Sequence, residues 1–232
     1  MVNDILNDLR QHASEAHFKK LAHFGIDDTH AIGVSMPNVR RIGSILCKAF
    51  TKQEWDARQQ LSIDLWASEI HEARILASIV GVPSLVTPQQ MDAWTAEFTS
   101  WDLCDQTCAN LFQKTNSFLD KAFEYSFHEK EFIKRTGFVL MTQYALHHKK
   151  ADDAMCLQFL TRIEEEAHDE RNFVKKALNW CLRQIGKRNL YLHPFAIETA
   201  QRIALQQSRS AKWIASDALR ELNDEKILQR LK

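Results

Sequence analysis

In the segment SWDLCDQTC, Ser100 to Cys108, an otherwise apolar helix face carries a carboxylate. Ser100 is a favourable N-cap and Asp102 suits an electropositive first turn, so the residues predict a helix that begins here and runs through Leu111 and Phe112. On it Trp101, Asp105, Cys108 and Phe112 fall at i, i+4, i+7 and i+11, which aligns Asp105 with an indole, a thiol and a phenyl ring. An ionised group on such a face costs free energy unless it is paired, so Asp105 needs either a structural partner or a chemical use. Two further segments share this character. In EFIKRTGFVL the helical neighbours of Arg135 are Phe132, Phe138 and Val139, so a guanidinium also lies on a largely apolar face. In DERNFVKKALNWCLRQIGKRN the core stripe is Phe173, Val174, Ala177, Leu178, Cys181 and Ile185. A second stripe, Lys176, Trp180, Arg183 and Lys187, sets an aromatic between basic side chains, as a phosphate-tracking, base-contacting surface requires.

Each feature has a plainer counterpart. Trp101 and Trp180 are equally consistent with core or half-buried positions, and that reading is preferred for Trp55, Trp66, Trp94 and Trp213. Asp105 and Arg135 could form a structural ion pair, and the basic stripe could be a solvated face whose long side chains cover an indole. Glycine-rich nucleotide loops, the GxSxG elbow and HExxH are missing. The ten histidines are scattered, and the closest two, His147 and His148, point in different directions on a helix, so no metal site is expected.

The elements that would position these residues are helices. Glycine (6) and proline (4) are scarce, and alternating β-branched runs with Asn-Gly or Asp-Gly turns are absent. Helix starts are expected at Ser35 with Pro37 inside, at Thr51 in the capping box TKQE, at Thr87 in TPQQ, at Ser100, and near Glu129 and Asp169. Roughly ten to twelve helices of ordinary length fit. Globin-like packing, a bundle and a solenoid of helix pairs all remain open, the solenoid only in a degenerate HEAT-like form because no fixed-period motif repeats. With no low-complexity linker, residues 1–232 are expected to form a single domain.

An apolar share of 45% is ordinary for a globular chain. The net charge of +0 conceals an asymmetry: residues 1–129 carry 11 Lys+Arg against 17 Asp+Glu, and residues 130–232 carry 19 against 13. The second half is the expected polyanion surface. Five irregularly spaced cysteines without a CxxC pair argue against a disulfide framework or structural zinc and for a reducing, cytoplasmic setting. No secretory leader and no membrane-length apolar run is evident.

Together these segments resemble the AlkD-like family of DNA alkylation-repair proteins, HEAT-like helical-repeat DNA glycosylases. The resemblance is carried, in order, by GVSMPNVRRI, LWASEIHEARILA, SWDLCDQTC, KRTGFVL and VKKALNWCLRQIGK. It implies an all-α fold, a curved superhelical stack of antiparallel helix pairs, with Glu72 and Arg74 holding helices together. It implies a monofunctional glycosylase that excises positively charged bases such as N3-methyladenine and N7-methylguanine from duplex DNA, without a base-binding pocket, metal or organic cofactor, as a monomer. Asp105 would stabilise charge developing on the sugar, with Trp101 and Trp180 flanking the lesion. Arg135, Lys176, Arg183 and Lys187 would hold the backbone. Some relatives with this scaffold lack catalysis, so the rival expectation is a non-catalytic scaffold binding nucleic acid or protein.

Overall fold

The computed structural model describes residues 1–26 and 29–231, and these residues form fourteen α-helices and no extended sheet. They divide into two compact units, Met1–Phe118 and Leu119–Lys232.

The first unit contains α1 (Val2–Gln11), α2 (Glu15–His23), α3 (Met36–Ala49), α4 (Trp55–Trp66), α5 (His71–Val80), α6 (Pro88–Ala96) and α7 (Trp101–Asn110). The expected starts are present where local chemistry supplies them. Ser35 precedes α3 with Pro37 just inside, Thr51 and Glu54 form a capping box ahead of α4, and the Thr87 hydroxyl accepts from the Gln90 N–H at the start of α6. Helix α5 packs on α3, α4 and α7, so α3, α5 and α7 form one row with α4 beside it. Beneath α7 lies an aromatic cluster: Trp66 and Trp94 stack with centroids 4.0 Å apart, and Phe98 and Phe112 close around them. Phe112 belongs to a 3-10 turn, Phe112–Lys114, and α7 itself stops at Asn110, short of the expected end. The buried ring of Phe112 thereby anchors the C-terminal end of α7.

The second unit is built from α8 (Phe118–Ser126), α9 (Glu131–His147), α10 (Asp153–Glu166), α11 (Asn172–Gly186), α12 (Leu192–Ala204), α13 (Arg209–Leu222) and α14 (Glu225–Leu231). Helices α9, α11 and α13 pack side by side, α10 packs on α12, and successive helices α11, α12 and α13 close the rows on each other. Contact between every second helix is the signature of stacked helix pairs. Gly137 makes one of these contacts possible: a Cβ there would lie 2.5 Å from the Ser126 nitrogen and 2.8 Å from the Ala122 carbonyl, so only glycine lets α9 meet α8 this closely. The expected core stripe of α11 is buried at Val174, Ala177, Leu178, Cys181 and Ile185, with Phe173 half-buried beside Phe132.

Candidate nucleic-acid interface

Trp101 and Asp105 stand one turn apart on α7, in the first unit. Ser100 occupies the N-cap position, but its side chain makes no cap hydrogen bond, so it places the chain without capping the helix by its side chain. Trp101 is half-buried and its indole N–H donates to the Phe24 carbonyl at 3.0 Å, a bond that fixes the ring plane. Asp105 is also half-buried, and Cys104 and Cys108 on the same helix are fully buried.

Asp102, read from sequence only as a first-turn acid, is held more tightly. Its Oδ2 lies 2.9 Å from His71 Nε2 at the start of α5. Burial pushes the Asp102 carboxyl upward, but the hydrogen bond and charge of His71, with hydrogen bonds from the Ser100 side chain and the Leu103 N–H, outweigh it and hold the group below the usual carboxylate range. No local signal announces this pair, because its members are 31 residues apart.

Glu72, next to His71, is almost fully buried and accepts from three successive backbone N–H groups, those of Ile32 (3.0 Å), Gly33 (2.7 Å) and Val34 (3.0 Å). Gly33 has a φ of +80°, a left-handed conformation that turns these donors toward one point. Arg74 meets Glu97 at 2.6 Å and lies over the Trp66 ring. Both residues thus tie separate segments together.

The remaining expected residues belong to the second unit. Arg135 on α9 is only 5% exposed, and its Nη1 donates to the Phe173 carbonyl at 2.7 Å on α11. This guanidinium serves a helix contact and presents little surface. On α11, Lys176 is exposed and, among the described residues, meets no carboxylate. Trp180 is half-buried, and the Gln184 amide oxygen, oriented by its neighbours, accepts from Trp180 Nε1 and Lys187 Nζ, both at 3.2 Å. Arg183 and Lys187 both pair with Glu221 of α13, and Arg183 lies 3.7 Å from Asp217. Their cations are therefore partly neutralised, and Glu221 is held below the usual carboxylate range because these partners outweigh its burial. The stripe exists as read, but its lower half faces a carboxylate that the sequence of α11 does not contain.

A family model described as DNA alkylation repair enzyme matches residues 5–222, a span that runs through both units. The chain belongs to the DNA alkylation repair enzyme family. A solved structure from a family of proteins related to the HEAT-like repeat DNA glycosylases, with affinity for branched DNA structures, superimposes with a TM-score of 0.76 at 16% identity, covering 95% of this chain and 94% of that one. The all-helical architecture is thus the HEAT-like repeat fold. Among curated proteins, no sequence matches this chain. Of the tryptophans read as structural, Trp66 and Trp94 are buried and Trp55 half-buried. Trp213 is instead 41% exposed, with Lys175 Nζ 5.1 Å from its ring.

Proposed function

We propose that this member of the DNA alkylation repair enzyme family is a monofunctional glycosylase that removes cationic alkylated bases, such as N3-methyladenine and N7-methylguanine, from duplex DNA. Alkylation gives the base a positive charge, so the glycosidic bond breaks with its electron pair passing to the base, which leaves neutral. The positive charge moves to the deoxyribose, water adds at the sugar carbon, and its proton is lost. Asp105 stabilises the charge that develops on the sugar and accepts or directs the proton of the attacking water. Trp101 and Trp180 offer indole faces to the lesion and its sugar. Lys176, Arg183 and Lys187 meet phosphates, the last two by exchanging Glu221 for the DNA backbone, and Arg135 supports the same surface from beneath.

The observation that carries this reading is Asp105 itself. It is a half-buried carboxylate one helical turn from Trp101, on a helix whose far end is anchored by Phe112. Asp105→Asn tests it, because amide and carboxylate are nearly isosteric and only the carboxylate is negative. The expected result is unchanged thermal melting and a loss of about a hundredfold in single-turnover release of N7-methylguanine, corresponding to ~3 kcal/mol of charge stabilisation. If the variant melts early and loses activity only in step with folded protein, Asp105 is a structural partner.

A second reading is favoured by the burial of Arg135, the pairing of Arg183 and Lys187 with Glu221, and the solved relative's affinity for branched DNA structures. On that reading the chain binds DNA structures without catalysis. Wild-type protein that binds branched DNA and releases no methylated base decides for it.

A further inference from the structure

Helices α11 and α13 lie side by side and run in the same direction, and residues 38 positions apart meet along their seam. Asn179 donates to Asp217 at 2.7 Å, and one turn further on Arg183 pairs with Glu221. One turn earlier, in the same register, the ammonium of Lys175 lies over the indole of Trp213, 5.1 Å from the ring centroid. The two later steps end in carboxylates of α13, whereas the first ends in an aromatic ring.

That difference divides the seam electrostatically. In its later part Glu221 is shared by Arg183 and Lys187, and Asp217 also takes Arg220, so cations there are matched by acids. At its start Arg209, Lys212, Trp213 and Ser216 follow at i, i+3, i+4 and i+7, and all four are exposed, so they form one open face of α13. Among the described residues, Lys175, Arg209 and Lys212 meet no carboxylate. Glu170 reaches this end of α13, where its carboxylate accepts from the Ser210 N–H at 3.2 Å, so cations outnumber acids around the ring. An indole that is 41% exposed, set among three such cations, complements a polyanion that also carries flat rings.

We propose that this face holds an unpaired stretch of DNA beside a duplex, with one base stacked on Trp213 and the flanking phosphates on Lys175, Arg209 and Lys212. It rests on the DNA-binding reading above for the class of polymer. A duplex offers its phosphates but keeps its base faces inside the stack, so only an unpaired nucleotide makes use of the ring. The base concerned is already unpaired, at a fork or a single-stranded end, and is distinct from the lesion. The carboxylates of Asp217 and Glu221 repel phosphates from the later part of the seam, which confines the strand to its start.

Fluorescence anisotropy of the full chain with a labelled blunt duplex, and with the same duplex extended by a short oligothymidine arm, tests the proposal. The armed duplex should bind about tenfold more tightly, and Trp213→Ala should abolish that advantage while keeping wild-type melting and blunt-duplex affinity. Trp213→Phe, which retains a stacking ring, should keep most of it. An arm of abasic nucleotides, with phosphates but no bases, should be held by wild type no better than the thymine arm is by Trp213→Ala. Replacing Arg209 and Lys212 together by Ala should lower the salt dependence on armed duplex by about two ions. Equal affinity for blunt and armed duplex, an abasic arm bound as tightly as the thymine arm, or an undiminished advantage in Trp213→Ala overturns the proposal. If blunt duplex is bound without preference for the arm, the Trp213 face fails and DNA binding stands; if neither form is bound, the DNA-binding reading fails and the face falls with it.

Discussion

Glu72→Gln is the perturbation whose consequence the structure specifies most directly. The carboxylate receives the N–H groups of Ile32, Gly33 and Val34 at 3.0, 2.7 and 3.0 Å and is 2% exposed, so water cannot replace it. A hydrogen bond to a charged acceptor contributes about 1.5–3 kcal/mol and a neutral one about 0.5–1.5. Neutralising the acceptor therefore removes roughly 1 kcal/mol per bond, or about 3 kcal/mol for the three. The amide has only one oxygen, and turning its NH₂ toward any of these donors adds to that loss. For a chain of this length a change of about 3 kcal/mol lowers Tm by roughly 6–12 °C. Urea unfolding measures the free energy, and hydrogen exchange of the Ile32, Gly33 and Val34 amides locates it, because these protons should exchange faster than those of the α9 core. Asp56→Asn, an exposed carboxylate, is the control and should stay within about 0.5 kcal/mol. A Glu72→Gln variant with the wild-type urea midpoint and equally protected amides would refute the reasoning that the three-donor site holds the 29–35 segment on α5.

Glu221→Gln should release Arg183 and Lys187, raising duplex affinity and steepening its salt dependence by up to about two ions, whereas Lys176→Ala should reduce the slope by about one; filter binding across salt concentrations checks both, and an unchanged slope in both variants removes α11 from the interface. Asp102, Glu166, Asp169 and Glu221 are all held below the usual carboxylate range, in each case because partners outweigh burial. The unfolded chain then binds more protons than the folded one in that window, so this stability is present at neutral pH and is lost as the pH falls from about 5 through the depressed values. Urea midpoints that stay flat from neutral to about pH 3 would contradict the assignment. Burial pushes the Cys156 thiol up to about 11 and that of Cys181 higher still, and Cys104 and Cys108 are also buried, so a thiol reagent should modify half-buried Cys47 first and the other four only on unfolding. Rapid native-state labelling of more than one thiol would contradict this.

Much of the secondary structure was legible because its determinants are local. Ser35 with Pro37, Thr51 with Glu54, and Thr87 with Gln90 act within a single turn, and the apolar stripe of α11 repeats at the helical period, so neither depends on what lies across the fold. The early end of α7 escaped this reading because Phe112 is drawn into the cluster of Trp66, Trp94 and Phe98, a tertiary pull on a residue whose spacing fits a continued helix. The chemistry-bearing residues divide in the same way. That Trp101 and Asp105 share a face of α7, and that Lys176, Trp180, Arg183 and Lys187 share one on α11, follows from the sequence, because a rigid helix converts spacing into direction. Which of them are already occupied was decided only by packing. Glu221 comes to Lys187 and Arg183 from 34 and 38 residues away, Glu72 reaches the amides of the 29–35 segment across 38 to 40, and His71 meets Asp102 across 31. Partners at such separations are chosen by the register at which one helix stacks on the next. That register is set by the fit of whole buried surfaces, which no single segment of the chain encodes.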